Sequence, residues 1–301
     1  MKAMELSKFI GSLVGTGIGD SLGAGSEGFF GYREVREIGN RYTDDTHMMI
    51  GVAESLIEKR GFNGEHMVKT FIKNYEAEPW RGYGPGPPGV FRLIKQGESW
   101  DKAAEKLYSG GSFGNGSAMR IAPLACFYYD NPVSLKRAAY ESSKLTHSHI
   151  LGVEGAALQA YATALAVSIR DSVRSYAFLK KLENFIKADV YKRKIEKIEE
   201  LLSSRADRKE VTRELGNGIE AFNSVPTAIY SFLANPNFEE AVVYAVSLGG
   251  DSDTIGAMTG AVSGAYWGIE AIPERWRDKL ENGEFIEKLA KKLWEIKRRK
   301  K

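Results

Sequence analysis

The chain has 301 residues, of which 43% are hydrophobic and 27% are charged, and its formal net charge is +3. These proportions are typical of a soluble globular protein and exclude a disordered or low-complexity chain. We predict no membrane span, and the N-terminus lacks the apolar core of a signal peptide. The single cysteine, Cys126, excludes an internal disulfide, so we expect a cytoplasmic protein.

The positive charge is concentrated at the C-terminus. The last eleven residues carry a net charge of +6, which leaves the other 290 residues at −3. A body with this charge is not a nucleic-acid-binding surface, so we expect no nucleic-acid partner. We interpret the basic tail as a solvated helix end, because cations are favourable at the negative end of a helix dipole. Contact of the tail with RNA or DNA is the alternative.

The first predicted element is a helix over residues 7–22 that carries glycines four residues apart. These are Gly11, Gly15, Gly19 and Gly23. Positions four apart share a helix face, and each glycine inside a helix costs about 1 kcal/mol relative to alanine. Such a stripe predicts that another backbone approaches this face closely.

The second helix is predicted to begin at the sequence Thr43-Asp44-Asp45-Thr46. A third follows from residue 64 and ends before Pro79. The density of glycine and proline in residues 81–89 predicts no regular structure before Val90. A short helix over residues 99–108 comes next.

A glycine-rich stretch, residues 110–116, precedes a helix predicted from Ser117 onward. Backbone N–H groups at such a helix start can bind an anion, and Phe113 could present an aromatic face to a base. A plain connection between loop and helix is the alternative. His147 and His149 lie two residues apart and do not share a helix face, so joint metal binding is not indicated.

The remaining elements are all predicted to be helices. Residues 134–144 and the alanine-rich residues 152–169 form two of them, and the second is interpreted as a core helix. The strongly charged residues 171–215 carry an amphipathic stripe and are interpreted as a peripheral helical pair. Residues 216–233 return to the core, with Pro226 in the first turn of a helix. Residues 238–247 complete the series.

The last core element spans residues 249–268, GGDSDTIGAMTGAVSGAYWG. It repeats the glycine spacing of the first helix with Gly256, Gly260, Gly264 and Gly268. We therefore predict that the two glycine faces lie against each other. Alternation typical of strands is absent over any useful length, so the sequence predicts an all-α fold in a single domain over residues 1–301.

Two helix starts, at 43–46 and 251–254, each carry two aspartates and at least one threonine. Paired carboxylates at the end of a buried helix repel each other and resist desolvation, and a bound cation would resolve this. Carboxylate and hydroxyl oxygens are ligands for Mg²⁺, Mn²⁺ or Ca²⁺. Ordinary helix caps are the alternative. A zinc site is not indicated, because the chain has four scattered histidines and one cysteine.

Seven motifs, in this order, resemble the ADP-ribosylglycohydrolase family, which includes dinitrogenase reductase-activating glycohydrolase. They are GTGIGDSLGAGSE (15–27), YTDDT (42–46), RGYGPG (81–86), GNGSAMR (114–120), LTHSHILG (145–152), NSVPTAI (223–229) and GGDSDTIGA (249–257). Residues 171–215 lie outside the match. The resemblance implies a compact, orthogonally packed all-α globule with two Mg²⁺ or Mn²⁺ ions at the base of a cleft.

The resemblance also assigns roles to particular residues. It implies that the metal ligands are Thr43, Asp44, Asp45, Asp251, Asp253 and Thr254. It implies catalysis by Glu27, Asp44, Asp45 and Asp253, with Glu27 as ligand or general base. It implies that ADP-ribose binds to Ser112, Phe113, Gly114, Asn115, Gly116 and His147.

The expected activity is metal-dependent hydrolysis of the bond between ADP-ribose and an acceptor, which can be an ADP-ribosylated protein or a small ADP-ribosyl compound. The linkage stays open among arginine, serine, polymeric ADP-ribose, O-acetyl-ADP-ribose and modified nucleic acid. Two alternatives stay open as well: a di-metal hydrolase of another nucleotide, and a non-catalytic relative that binds ADP-ribose. We expect a monomer.

Overall fold

The computed structural model of the protein describes residues 2–29 and 31–299, and within these ranges it contains helices and no strands. The all-α prediction is confirmed. The helices are α1 (Lys2–Gly23), α2 (Asp44–Lys59), α3 (Gly64–Ala77), α4 (Gly86–Lys95), α5 (Ala103–Leu107), α6 (Ala122–Tyr128), α7 (Pro132–Lys144), α8 (Ile150–Ser168), α9 (Ser175–Phe185), α10 (Asp189–Ser204), α11 (Arg208–Leu215), α12 (Ala221–Ala234), α13 (Phe238–Val246), α14 (Ser252–Trp267), α15 (Glu274–Arg277) and α16 (Gly283–Arg299).

The two glycine-striped helices, α1 and α14, lie against each other along their length, which confirms the prediction from their spacing. A methyl group placed on Gly19 would lie 1.9 Å from the carbonyl oxygen of Gly256. One placed on Gly15 would lie 2.3 Å from the carbonyl oxygen of Gly260. The two backbones are in direct contact at these positions, so only glycine fits there.

Helix α14 is the centre of the molecule, surrounded by α1, α8, α12 and α13. Helix α8 is long and apolar enough to cross a membrane, but its apolar window is 83% buried by the surrounding helices, as predicted for a core helix. Its Gln159 side chain donates a hydrogen bond of 2.9 Å to the Met258 carbonyl oxygen in α14. The site-bearing ends of α14 and α1 are thus attached to a closely packed core.

The charged segment, residues 171–215, forms three helices rather than the expected pair. Their apolar stripes join the main core through Phe178, Leu182, Tyr191 and Ile195, all of which are buried. Charged residues cover the outer surface of these helices. The single-domain assignment stays a prediction.

Three helix boundaries differ from those predicted. Helix α4 begins at Gly86 rather than Val90, with prolines in its first turn. Backbone N–H groups in a first turn have no acceptor within the helix, so proline, which lacks this group, is tolerated there. Helix α6 begins at Ala122 rather than Ser117, so the glycine-rich loop does not run directly into a helix. Helix α12 begins at Ala221, which places Pro226 in its second turn instead of its first.

The C-terminal helix α16 buries Ile286, Leu289, Ala290 and Leu293 against the core. Its last described turn ends on exposed arginines, in agreement with a solvated helix end. The final two lysines of the basic tail lie outside the described residues.

Candidate functional site

A cleft of about 310 Å³ lies where the N-terminal ends of α2 and α14 meet several connecting loops. All but one of the residues predicted for the site line this cleft. They are Glu27, Thr43, Asp44, Asp45, Ser112, Gly114, Asn115, Gly116, His147, Asp251, Asp253 and Thr254. The fold therefore gathers residues that are as much as 227 positions apart in the chain into one site.

The exception is Phe113, which lies beside the cleft rather than in its lining. Its side chain is 46% exposed, and its ring packs edge-on against His149 at a centroid distance of 5.6 Å. Phe222 lies 6.0 Å away on the same side. A role for Phe113 in binding a base stays a prediction, and the ring is placed to act only at the rim.

The start of α2 is capped by Thr43, whose hydroxyl accepts a hydrogen bond of 3.3 Å from the Asp45 backbone N–H. The same hydroxyl donates to Asp45 Oδ2 at 3.2 Å. The second oxygen, Asp45 Oδ1, is buried and has no hydrogen-bond partner. An ionised carboxylate left with a buried, unpartnered oxygen is costly unless a cation binds there.

Asp20 is a buried site residue to which the sequence analysis assigned no role. Its carboxylate accepts hydrogen bonds of 3.0 Å from the backbone N–H groups of Thr43 and Thr46. It also accepts a 2.5 Å bond from the Thr46 hydroxyl. Asp20 therefore fixes the start of α2 to the glycine helix α1. An acid in an otherwise apolar, buried helix was the signal that could have identified it.

The start of α14 carries the second acidic pair. Asp251 precedes the first helical residue, and Asn115 donates a hydrogen bond from its amide to the Asp251 carboxylate. The Thr254 backbone N–H donates to Asp253 Oδ1 at 2.8 Å. One carboxylate oxygen from each of Glu27, Asp251 and Asp253 lies within 4.8 Å of the others. This triad could hold a metal ion.

Backbone hydrogen bonds connect the loops around the cleft. Gly250 donates to the Phe29 carbonyl at 2.9 Å, and its own carbonyl accepts from Gly28 at 2.8 Å. These two bonds attach the loop that carries Glu27 to the start of α14. Gly250 has a φ of +72°, and a methyl group there would lie 2.1 Å from the Asn217 carbonyl oxygen, so the turn requires glycine.

The 112–116 loop is attached to residues 217–221 in the same way. Asn115 donates its backbone N–H to the Ile219 carbonyl at 2.9 Å, and Ala221 donates to the Phe113 carbonyl at 3.0 Å. An isolated bridge pairs Gly114 with Glu220. Because the Asn115 backbone N–H is already hydrogen-bonded, any contact from this loop to a phosphate would have to use other donors.

The carboxyl groups of the cleft have raised pKa values, and burial is the largest cause at each. Burial and the charge of Asp20 raise the pKa of Asp44 to about 7. Burial and the neighbouring Asp253 raise the pKa of Asp45 well above its ordinary value, and burial and Asp251 do the same for Asp253. The pKa of Glu27 is raised in the same direction. These carboxyl groups lack enough positive charge around them.

His147 is a neutral member of the site. Burial, and secondarily the positive charge of Arg120, lower its pKa to about 3. Its Nδ1 lies 2.8 Å from the Thr146 hydroxyl. A methyl group on Gly116 would lie 2.7 Å from His147 Cε1, so glycine at 116 makes room for the imidazole.

Among the residues that the structure describes, no lysine or arginine lines the cleft. The cation Arg120 is fully buried behind it, where its guanidinium carbon lies 4.8 Å from the ring centre of Phe71. Arg120 donates to the Ser142 carbonyl at 3.0 Å, and its charge acts on Asp44. Burial lowers the Arg120 pKa to about 9. Arg120 was not among the site residues predicted from the sequence.

These residues fit divalent cations that prefer oxygen ligands. The donor set consists of carboxylates and threonine hydroxyls, and it includes the unpartnered Asp45 Oδ1. The Glu27, Asp251 and Asp253 triad supplies three converging oxygens. Zinc of the nitrogen or sulfur type does not fit, because His147 is the only histidine or cysteine among the described residues that line the cleft.

Comparison with known proteins places this site in a family. The family model for ADP-ribosylglycohydrolase matches residues 1–301. The ADP-ribosylhydrolase ARH3 of Gallus gallus is 38% identical over 288 residues, covering 85% of this chain and 78% of that protein. The ARH3 of Homo sapiens is 35% identical, with 98% and 94% covered.

A solved structure, described as an ADP-ribosylglycohydrolase-related protein complex, matches with a TM-score of 0.80. It is 27% identical, and the match covers 98% of this chain and 99% of that one. The whole-chain family match and the relatives above 30% identity agree with the all-α fold. The chain therefore belongs to the ADP-ribosylglycohydrolase family and is a hydrolase that acts on glycosidic bonds of ADP-ribose.

Proposed function

We propose that the protein is a metal-dependent hydrolase that releases ADP-ribose from a modified acceptor, with two Mg²⁺ or Mn²⁺ ions in the cleft. The observation that carries the proposal is the convergence of two acidic helix starts on one cleft, with an unpartnered carboxylate oxygen at Asp45. Raised carboxyl pKa values support it, because they indicate a deficit of positive charge. Two cations would supply that charge.

One ion would be held by Thr43, Asp44 and Asp45, and the other by Asp251, Asp253 and Thr254. When bound, such ions would orient the ribose hydroxyls and lower the pKa of a water molecule. Asp20 would keep the first set in place through its hydrogen bonds to the start of α2.

Glu27 is suited to proton transfer in this reaction. It lies in the triad with Asp251 and Asp253, and it is the exposed member of the three. Burial and the Asp251 charge raise its pKa, which brings it closer to the working pH of a general base. Cleavage at C1 of the ribose develops oxocarbenium character, which the surrounding carboxylates would stabilise.

The ADP portion would lie along the 112–116 loop and His147. The amides of Gly114 and Asn115 are already bonded, to the Ser112 hydroxyl and the Ile219 carbonyl. We therefore expect phosphate contacts from the Gly116 amide or the Ser112 hydroxyl. Neutral His147 can contact the substrate without adding charge.

The test is hydrolysis of an ADP-ribosyl-arginine protein with EDTA, and then with Mg²⁺ or Mn²⁺ added back. We expect metal-dependent release of free ADP-ribose. Serine-linked ADP-ribose is the second substrate to use, because the acceptor linkage is open. Release that EDTA does not inhibit, or the release of phosphate in place of ADP-ribose, would contradict the proposal.

A further inference from the structure

Residues 81–86, RGYGPG, form a motif to which the proposed function assigns no role. Its glycines and its proline line the cleft, namely Gly82, Gly84, Pro85 and Gly86. Its two large side chains point elsewhere, since Arg81 is buried and the Tyr83 hydroxyl lies 2.9 Å from His47 Nδ1 on α2. A buried guanidinium is costly unless it is paired, so the partners of Arg81 indicate what it does.

The Arg81 guanidinium, of which only 4% is exposed, is bound on every side. It pairs with both carboxylate oxygens of Glu281, at 2.6 and 3.0 Å, and its Nε donates to Glu78 at 2.5 Å. It also donates to the Tyr42 carbonyl at 3.2 Å, and its central carbon lies 4.1 Å from the centre of the Tyr42 ring. A planar fork bound to two oxygens of one carboxylate has a single favourable orientation, so Arg81 is rigidly held.

This ion pair holds the residue that precedes the first acidic helix start. The Tyr42 carbonyl accepts from Arg81, and the Tyr42 backbone N–H donates to Glu281 Oε2 at 3.3 Å. The Asn282 amide fixes the Tyr42 hydroxyl at 2.9 Å. Because the peptide bond that follows Tyr42 is planar, fixing its carbonyl also fixes the backbone nitrogen of Thr43. The pair therefore determines where the first set of carboxylates and hydroxyls, residues 43–45, begins.

The second set, residues 251–254, is held by different residues. The Asp251 backbone N–H donates to the Asn217 carbonyl at 2.8 Å, and its carboxylate accepts from the Asn115 amide. A methyl group on Gly23 would lie 2.5 Å from Asp253 Cα, so the main chain of α1 supports this helix start directly. A change at Arg81 should therefore act on the first set and leave the second set in place.

Resting on the proposed function, we propose that Arg81 and Glu281 are positioning residues for the cation held by Thr43, Asp44 and Asp45. Neither residue lines the cleft, so both act through the main chain of Tyr42. Groups that orient metal ligands from outside the coordination shell typically change metal affinity by about tenfold to a hundredfold when they are replaced. The effect should be confined to one of the two ions.

The test measures Mn²⁺ binding to each set of ligands. A titration followed by electron paramagnetic resonance gives the two Kd values, and anomalous scattering from crystals grown at limiting Mn²⁺ assigns each value to a set. In Arg81→Lys, which keeps the charge but cannot form the fork, we expect Kd at the first set to rise about tenfold and Kd at the second set to stay unchanged.

Turnover provides a readout that a general loss of stability would not give. Because Arg81→Lys weakens one ion without removing its ligands, raising Mn²⁺ to saturation should restore most of the kcat for an ADP-ribosyl substrate. A kcat that stays low when both sets are occupied would overturn a role that acts through the ion.

Two further variants complete the experiment. Glu281→Gln keeps the shape of the side chain and an acceptor for Tyr42 but loses the charge, so Kd should rise less and at the same set. Arg275→Lys is the control, because Arg275 is 53% exposed in its surface ion pair with Glu239, and neither Kd should change. Equal changes at both sets, or none at either, would overturn the inference and leave the proposed function intact. Failure of the wild-type protein to bind Mn²⁺ would overturn both.

Discussion

The same two helices, α1 and α14, pack glycine against glycine along their bodies and carry part of the acidic cleft at one end. Along their bodies, glycines bring the backbones together, as at Gly19 and Gly256. At one end, α14 begins with Asp251 and Asp253, and α1 carries Asp20 and leads to Glu27. Packing is favourable in the first region, and like charges repel in the second. We infer that the closely packed glycine region holds the acidic groups close together despite their mutual repulsion.

The acidic region should lose its function, and not its fold, when one carboxylate is neutralised. For Asp253→Asn we expect kcat/KM to fall about a thousandfold, or about 4 kcal/mol of transition-state stabilisation. The metal-free variant should unfold at the same temperature as the wild type or higher, because a source of repulsion is gone. Activity assays and thermal unfolding in EDTA measure the two effects. Exposed Asp189→Asn is the control, and a fully active Asp253→Asn protein would contradict the metal site.

In the packed region, a substitution should instead lower the stability of the fold. In Gly19→Ala the new methyl group would meet the Gly256 carbonyl oxygen at 1.9 Å, so the helices must separate. We expect a loss of about 3 kcal/mol in the free energy of unfolding, and a melting temperature lower by roughly 10 °C. Gly25→Ala is the control, because a methyl group there meets nothing within 4 Å. Equal melting temperatures for the two variants would contradict a contact that only glycine allows.

The packed region and most residues of the cleft lining could be predicted from the sequence, but the buried residues behind that lining could not. Glycines four residues apart identify one face of a helix even when its packing partner is unknown. Because the same spacing recurs in α14, it also identified the partner of α1. Asp20 received no role because its partners, the N–H groups of Thr43 and Thr46, come from another helix. The charge of Arg120 acts on Asp44 only through the tertiary fold.

Local signals also failed where tertiary packing decided the outcome. Glycine and proline in residues 81–89 indicated an irregular loop, yet α4 begins at Gly86. Pro226 was assigned to a first helical turn, but α12 continues through it in the core. The position of Phe113 beside the cleft could not be read from a motif, because loop contacts with residues 219–221 determine where its ring points.

The pH dependence of stability should distinguish the two regions further. The Asp44 pKa is raised from 3.8 to about 7 in the folded protein. A raised pKa means that the folded state binds the proton more tightly, so the metal-free protein loses stability as pH rises from about 4 to about 7. We expect Asp44→Asn to flatten this part of the curve. Unfolding in EDTA at several pH values tests it, and identical slopes for variant and wild type would contradict the raised pKa.

Divalent cations should reverse that loss. At a free concentration of about 100 times Kd, an ion that binds only the folded state adds about 2.7 kcal/mol. The rise in melting temperature with Mg²⁺ or Mn²⁺ should be larger at pH 7.5 than at pH 5, because protonated carboxyl groups do not bind metal. Asp253→Asn should show a smaller rise. A rise that is independent of pH would indicate binding elsewhere.

The smallest expected effect concerns the substrate loop. In Gly116→Ala the methyl group would lie 2.7 Å from His147 Cε1 and would displace the imidazole. We expect KM for an ADP-ribosyl substrate to rise about fivefold to tenfold, near 1 kcal/mol, with a small change in melting temperature. Steady-state kinetics beside Gly25→Ala measure this. An unchanged KM would contradict a role for His147 in substrate binding.

We propose that the packed helices hold two acidic helix starts where divalent cations bind. The most direct measurement is the anomalous scattering of crystals grown with Mn²⁺. We predict two peaks in the cleft, one beside Asp251, Asp253 and Thr254 and one beside Thr43, Asp44 and Asp45. The absence of peaks at these carboxylates at saturating Mn²⁺, with the cleft otherwise intact, would contradict the account.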